Sequence, residues 1–151
     1  MKALTLTQPW AELVAGGFKQ WETRSWPTNY RGPLAIHAAK GFPKAAKEFA
    51  ETERALGRVP ARIAIGAFVA VARVVDVRRT EEVALELSGL ERHLGDYSWG
   101  RYAWQLVDVR RLDEPLACKG ALGLWTPPPD VLEQLLAFAG AAPREGAADG
   151  E

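Results

Sequence analysis

Charged groups are concentrated in the stretch Gly17-Phe18-Lys19-Gln20-Trp21-Glu22-Thr23-Arg24, where the end of an apolar helix meets a strand. Successive side chains of a strand point to opposite faces, so we expect Glu22 and Arg24 on one face and Thr23 on the other. Lys19 lies at the bend and can lean toward Glu22. Three ionisable side chains around one turn can fix one another's protonation states and present donors and an acceptor to a polar ligand. The plainer alternative is an ordinary structural ion-pair cluster.

Short strands and helices are predicted on both sides of this stretch. Alternation and β-branched content predict strands over residues 2–7, 19–25, 34–38, 61–77, 101–112 and 120–125, with 61–77 at the centre of a sheet. Helices are predicted from Pro9 to the Gly16-Gly17 pair and over residues 43–56, 81–93 and 130–138, and a loop over 26–33. Many short strands interleaved with few helices indicate an α+β fold or a small barrel, and no βαβ alternation supports a Rossmann sheet.

The composition is that of one ordinary globular domain. The chain has 151 residues, 48% of them hydrophobic and 25% charged, and no apolar run is long enough to span a membrane. The N-terminus lacks the features of a signal peptide, so we expect a cytoplasmic protein. The single cysteine, Cys118, and two histidines offer no ligand spacing for zinc, and we expect neither a metal nor a cofactor. One domain is predicted over residues 1–140, followed by a disordered tail over residues 141–151.

The charge is balanced overall but uneven along the chain. There are 19 basic and 19 acidic residues in total, yet the segment 19–47 holds six basic residues against one acidic residue. A local positive region on a neutral body suits the capture of one anionic ligand at one place, whereas a general nucleic-acid coat needs more widely spread basic residues. For the lysines of this segment, a solvated helix face is the alternative.

The spacing Gly-x-Lys-x-x-Glu-x-Arg, at Gly17, Lys19, Glu22 and Arg24, resembles the signature of the ASCH domain family. Further similarities follow in order: LTLTQPW at residues 4–10, RSWP at 24–27, YRGP at 30–33, IHA at 36–38, and the ending at 120–125. The resemblance covers nearly the whole chain up to Trp125. It implies an α+β fold, a PUA-like small mixed β-barrel flanked by helices, with a cleft between barrel and helices.

The resemblance and the chemistry of the residues together give a set of candidate ligand-binding side chains. The motif residues Lys19, Glu22 and Arg24 are expected to line the cleft, Trp26, Arg31 and His37 to form its rim, and Thr7 and Gln8 to stand at a helix N-terminus that favours anions. Basic side chains can neutralise phosphate, and an indole that stacks on a base contributes about 1–3 kcal/mol. Glu22 can accept a hydrogen bond from an exocyclic amine.

Several of these side chains have a structural alternative. Trp26 can simply cover the barrel end as a hydrophobic lid, and His37 can be a hydrogen-bonded core group. The remaining tryptophans lie on apolar faces or at element ends, and we assign them to packing: Trp10, Trp99, Trp104 and Trp125.

Three classes of function remain open. The first is a module that binds RNA or a nucleoside-like ligand and acts in RNA metabolism. The second is a small hydrolase that uses Lys19 and Glu22, either an amidohydrolase acting on N4-acylated cytidines or a ribonuclease. In the amidohydrolase pattern a threonine nucleophile stands three residues after the motif lysine, and here that position is Glu22, while Thr23 is expected on the opposite face. The third is a protein-interaction domain of the coactivator kind.

Overall fold

The computed structural model describes residues 1–141, so the tail predicted over residues 141–151 lies almost wholly outside the described residues. The strands are β1 (Lys2–Leu6), β2 (Trp21–Arg24), β3 (Gly32–Ala38), β4 (Ala67–Arg79), β5 (Tyr102–Ala117) and β6 (Leu124–Trp125). The helices are α1 (Trp10–Ala15), α2 (Lys44–Ala55), α3 (Thr80–Val83), α4 (Gly89–His93) and α5 (Pro129–Gly140), with a 3-10 turn at Ala84–Glu86. None of the helices among residues 1–141 combines the length and the apolar character that a membrane span requires.

One mixed sheet organises the molecule. Its strand order is β2-β5-β4-β3-β1-β6, in which β1 and β3 run parallel and all other neighbours run antiparallel. The sheet curls into a half-barrel, and the predicted α+β, PUA-like architecture is confirmed. The pairing of β4 with β5 shifts register three times, and such bulges bend and twist a strand pair, which accounts for the curl. The predicted central position of β4 is also found.

The two faces of the sheet pack against different helices. On one face Leu4, Leu6 and Ile36 pack with Val14 of α1 and with the fully buried Trp104. On the other face a second cluster joins the sheet to α5 and includes Ala3, Phe68 and Leu135. The alternation of Ala3 against Leu4 and Leu6 in the sequence therefore separates the two cores, as a strand buried on both faces requires.

The region between β4 and β5 differs from the sequence prediction. The single helix expected over residues 81–93 is wrong, because the segment forms two short helices separated by a 3-10 turn. Ser88 restarts the helix by accepting a hydrogen bond from the backbone N of Glu91 (3.1 Å), and the Glu81 carboxylate accepts one from the N of Gly100 (3.0 Å). Leu85 stays exposed, so the segment has no continuous apolar stripe that could hold a longer helix against the core.

Candidate functional site

A cavity of about 520 Å³ opens between the edge of the sheet and the helices. Its lining combines charged, hydroxyl and aromatic side chains: Thr5, Leu6, Thr7, Trp10, Lys19, Glu22, Thr23, Arg24, Ser25, Trp26, Phe49, His93, Leu94, Gly95, Asp96 and Arg101. The residues come from β1, the start of α1, the segment 19–26, α2 and the region around α4. Helices and a strand edge that meet at a concave surface form the usual setting for a small-ligand site.

The turn after α1 delivers the motif residues to this cavity. Gly17 adopts φ +83°, a conformation that glycine tolerates readily, and the backbone N of Lys19 then bonds to the O of Leu13 (3.0 Å). From there β2 begins and pairs antiparallel with β5, with Glu22 opposite Trp104 and Arg24 opposite Tyr102. The local fold thus points Glu22 and Arg24 to the same side of the strand.

The structure brings Lys19, Glu22 and Arg24 into one hydrogen-bonded network. Lys19 Nζ lies 3.0 Å from Glu22 Oε1 and also donates to the carbonyl oxygen of Trp21. Arg24 Nε donates to Glu22 Oε2 over 3.0 Å, and Arg24 Nη2 donates to the carbonyl oxygen of Thr5 over 2.8 Å. Each carboxylate oxygen of Glu22 therefore faces a different cation, and Arg24 ties β2 to β1.

The two cations keep the glutamate ionised although it is buried. Burial alone would raise the pKa of Glu22, but the charges and hydrogen bonds of Lys19 and Arg24 outweigh it, and the pKa of Glu22 is lowered. With its two basic partners the network carries a net charge of about +1 at neutral pH. The side chain of Lys19 is only 1% exposed whereas that of Arg24 is 23% exposed, so Arg24 presents this charge to an incoming ligand.

A second buried acid lies behind the network. The Glu91 Oε1 atom accepts a hydrogen bond from the backbone N of Gln20 (2.8 Å), while its Oε2 atom is buried without a hydrogen-bond partner among the described residues. Burial raises the pKa of Glu91, although the Gln20 N–H and the charge of Lys19 act in the opposite direction. The pKa of the nearby Tyr97 phenol is raised by burial and by the charges of Glu91 and Glu22. Lys19 thus stands between two carboxyl groups of different acidity.

Two tryptophans form the aromatic part of the cavity wall. Trp26 is half-buried and packs edge-on against Trp104, with ring centroids 5.0 Å apart. Trp10 is also half-buried and stacks on Phe49 of α2 at 5.3 Å. Trp26 therefore packs against the sheet, as its structural alternative expected, and also borders the cavity. Trp10 was expected only to pack, but it borders the cavity as well. The packing prediction is wrong for Trp99, which is 80% exposed.

Another part of the cavity wall, next to Thr23, consists of residues that were not predicted from the sequence. Asp96 and Arg101 border the cavity, with Arg101 Nε and Asp96 Oδ2 3.4 Å apart. Thr23 Oγ1 accepts a hydrogen bond from the N of Asp96 (3.0 Å), and although it was expected on the far face of β2, Thr23 also borders the cavity. His93 lies beside Phe49 and contacts the buried Glu53 of α2, with Nε2 and Oε2 3.2 Å apart.

The remaining candidates lie apart from this cavity, with one exception. Thr7 borders it. Gln8 is fully buried, donates to the O of Ala64 (2.7 Å) and accepts from the N of Glu12 (2.9 Å), so it holds the start of α1. Arg31 donates to backbone oxygens of its own loop and lies 4.0 Å from Asp76. The placement of Arg31 on the cavity rim is therefore not seen.

His37 has the surroundings of a core residue. Its Nδ1 atom lies 3.2 Å from Thr5 Oγ1 and its Nε2 atom 2.7 Å from the O of Cys118. The ring also contacts Phe68 and Trp125 edge-on, and burial lowers the pKa of His37 although the bond to Cys118 opposes this. These contacts agree with the structural alternative for His37 and leave no ring nitrogen for a ligand in the cavity.

No group of three or more histidine, cysteine, aspartate or glutamate side chains among residues 1–141 is arranged to hold a metal ion. The partly exposed guanidinium of Arg24, held by a buried carboxylate and bordered by two indoles, suits a planar, polar ligand that carries negative charge.

Comparison with known proteins agrees with this fold. A family model described as the ASCH domain matches residues 4–116. The crystal structure of ASCH from Zymomonas mobilis superposes with a TM-score of 0.57 at 12% identity, covering 91% of this chain and 94% of that one. Its tyrosine-to-phenylalanine and serine-to-alanine mutants give TM-scores of 0.57 and 0.56 at 12% and 14% identity, covering 91% of this chain and 96% and 94% of theirs. At such identities the likeness shows the fold alone, and no curated protein gives a significant match.

Proposed function

Because this chain belongs to the ASCH domain family, which is PUA-like, we propose that it binds RNA or a nucleoside-like ligand in the cavity and acts in RNA metabolism. One observation carries the proposal: the charged network of Lys19, Glu22 and Arg24 opens into a cavity that two tryptophans border. Such a site offers cationic donors, an anionic acceptor and aromatic faces within one ligand-sized space. The cytoplasm is the compartment in which we expect this binding.

The network supports binding at its exposed side. Arg24 uses Nε and Nη2 for Glu22 and for the backbone of β1, which fixes the guanidinium and leaves Nη1 without a hydrogen bond among the described residues. A fixed donor loses little conformational entropy when a ligand arrives. Trp26 lies two residues further along the chain and supplies a surface on which a base can stack.

The same geometry gives less support to the hydrolase alternative. A general base needs a pKa near the working pH, but the two cations lower the pKa of Glu22 further from neutrality. The Nζ atom of Lys19 is buried and already donates to Glu22 and to the Trp21 carbonyl, so it is not placed to act on a ligand in the cavity. The Thr23 hydroxyl borders the cavity, but its oxygen already accepts a hydrogen bond from Asp96. Release of acetate from N4-acetylcytidine by the purified protein would nevertheless favour the hydrolase alternative over the binding proposal.

Calorimetric titration with a five-nucleotide single-stranded RNA and with free nucleosides tests the proposal. We expect the association constant to fall only slowly with salt concentration. The slope of log K against log salt should correspond to about one to two neutralised phosphates, because only one region of the cavity is cationic. Arg24→Gln and Trp26→Leu should each weaken binding by about tenfold, which is the usual size of a charge-assisted hydrogen bond or a stacked base.

Matched variants outside the cavity serve as controls. Arg78→Gln removes an arginine that pairs with Glu86, and Trp99→Leu removes an exposed indole, and neither residue borders the cavity. Both variants should bind like the parent protein. Equal losses in the cavity and control variants, or no binding of RNA or nucleoside at low salt, would exclude the proposed function and favour the protein-interaction alternative.

A further inference from the structure

The two arginines that border the cavity differ in how far the protein already uses their donors. Arg24 makes two hydrogen bonds of ordinary length, 3.0 Å and 2.8 Å. Arg101 makes only two long contacts in the described part of the chain, both 3.4 Å: Nη2 to the O of Thr23 and Nε to Asp96 Oδ2. The Nε atom of Arg101 is buried and forms no hydrogen bond with any described residue. A guanidinium has five N–H donors, so Arg101 enters the cavity with most of its capacity unused.

The backbone that carries Arg101 is nevertheless firmly held. Its carbonyl oxygen accepts hydrogen bonds from the backbone N and the Oγ1 atom of Thr80, at 3.0 Å and 3.3 Å. The preceding Gly100 adopts φ +87° and donates to the Glu81 carboxylate over 3.0 Å. Arg101 is therefore placed at the start of β5 by the fold and not by its side chain. The side chain, 28% exposed, is held only by its two long contacts and can turn its remaining donors toward a ligand.

Asp96 is the negatively charged group that faces Arg101 in the structure. Its Oδ1 atom accepts hydrogen bonds from the N and Oγ atoms of Ser98, at 3.1 Å and 2.6 Å, so the carboxylate is anchored by one oxygen. The other oxygen faces Arg101 Nε across a long, partly exposed ion pair. Pairs of this kind contribute little, so a doubly charged phosphate can displace the contact at small cost.

We propose that Arg101 is the phosphate-binding residue of the cavity, so that the site selects a phosphorylated ligand, either a nucleoside monophosphate or the backbone phosphate of an RNA strand, over an uncharged nucleoside. The inference rests on the proposed function and adds to it the class of ligand. Arg24 then provides a second guanidinium for the same ligand, and Asp96 competes with the phosphate for Arg101 and so lowers the affinity. A terminal phosphate and a backbone phosphate offer the same oxygen acceptors to the guanidinium.

Titration of cytidine, cytidine 5′-monophosphate, cytidine 3′-monophosphate and the five-nucleotide RNA against four proteins tests this inference. In the parent protein we expect at least one phosphorylated probe to bind about tenfold or more tightly than cytidine. Arg101→Gln should remove that preference and leave cytidine binding unchanged. Asp96→Asn should strengthen phosphate binding by about two- to fivefold, because an amide keeps the acceptor for Ser98 but no longer competes for the guanidinium. Arg78→Gln, in an arginine that pairs with Glu86 outside the cavity, should change nothing.

The four probes separate the possible results. Tighter binding of a monophosphate identifies a terminal phosphate, and tighter binding of the RNA alone identifies a backbone phosphate, and both support the inference. Equal affinity for cytidine and every phosphorylated probe, or a preference that persists in Arg101→Gln, overturns it while the proposed function stands. Failure of all four probes to bind overturns both. Opposite effects of Arg101→Gln and Asp96→Asn would not arise if the two residues were merely structural.

Discussion

Two buried glutamates flank the cavity from different layers of the fold, and each lies between two basic side chains. Glu22 belongs to the edge strand β2, and the partner closest to the interior, Lys19, is itself almost inaccessible. Glu53 belongs to α2 and is fully buried, but Arg58 and His93 approach it from the solvent side. The pKa is lowered in both: for Glu53, the hydrogen bond from Arg58 is the main cause and burial opposes it.

The two clusters differ in how well the basic partners can be hydrated once the carboxylate is removed. Without Glu22 the ammonium of Lys19 stays enclosed with a backbone carbonyl as its remaining hydrogen-bond partner, and a buried charge that loses its bonded counterion is strongly destabilising. Without Glu53 the partially exposed Arg58 and His93 can turn toward water. The cluster at the cavity is thus the more rigid of the two, and the cluster on α2 is the more tolerant.

The largest effect is expected for Glu22→Ala. We expect a loss of about 3–5 kcal/mol in the free energy of unfolding, measured by urea denaturation, because Lys19 loses its counterion in a buried place. In the double variant Lys19→Met/Glu22→Ala the unpaired charge is gone, so the loss should be smaller than in Glu22→Ala alone. A double variant that is less stable than Glu22→Ala would contradict the comparison.

A smaller loss is expected for Glu53→Gln. The amide retains the shape of the side chain and an acceptor oxygen, while Arg58 and His93 regain hydration, so we expect about 1–2 kcal/mol by the same measurement. The exposed pair of Lys44 and Glu48 on the same helix provides the control, and Glu48→Gln should lie within the error of the parent protein. A loss as large as that of Glu22→Ala would remove the distinction between the clusters.

Acid should weaken both clusters. A carboxyl group whose pKa is lower in the folded state stabilises the fold above its unfolded pKa, near 4.5, and this contribution is lost as pH falls through the folded value. We therefore expect the urea midpoint of the parent protein to fall steadily as pH drops below about 4.5. In Glu53→Gln the decline should be shallower, since one of the contributing carboxyl groups no longer titrates.

The smallest effect is expected for Glu91→Gln. The pKa of Glu91 is raised in the fold, so its ionised form disfavours folding, and this cost grows as pH rises from about 4.5 through the folded value. An amide keeps an acceptor for the Gln20 N–H, and at pH 7 we expect a change of less than about 1 kcal/mol, in the stabilising direction. A clear loss of stability at pH 7 would show that the ionised carboxylate is needed as a second partner for Lys19.

Local sequence patterns were sufficient to predict those features of the fold and the site that depend on residues close together in the chain. Alternation in the segments 2–7 and 34–38 predicted β1 and β3, and the period of two placed Glu22 and Arg24 on one face. The helix over 81–93 was predicted from its helical composition, but the exposed Leu85 interrupts the apolar stripe and the Ser88 cap starts a new helix. The first short helix is also held by a distant contact, from Gly100 to Glu81. Tertiary hydrogen bonds of this kind leave no periodic signal.

Asp96 and Arg101 in the cavity wall were not predicted, for the same reason. Arg101 and Asp96 reach the motif through the pairing of β2 with β5 and the loop before it, about 75 residues further along the chain. The buried position of Glu53 was not predicted either, since a buried carboxylate is uncommon unless paired, and its partner His93 lies 40 residues away. Only the motif half of the site is contiguous in sequence, and that half was accessible to prediction.

The position of β2 at the end of the strand order has a consequence for self-association. A terminal strand exposes unpaired backbone groups to which a strand of another molecule can add, and charged side chains on such strands oppose this addition. Here the strand is only four residues long, and the carbonyl oxygens of Trp21 and Thr23 already accept hydrogen bonds from Lys19 and Arg101. Side chains of the cavity therefore also occupy backbone groups to which another strand could add, and a variant that removes both donors should form aggregates more readily at high concentration.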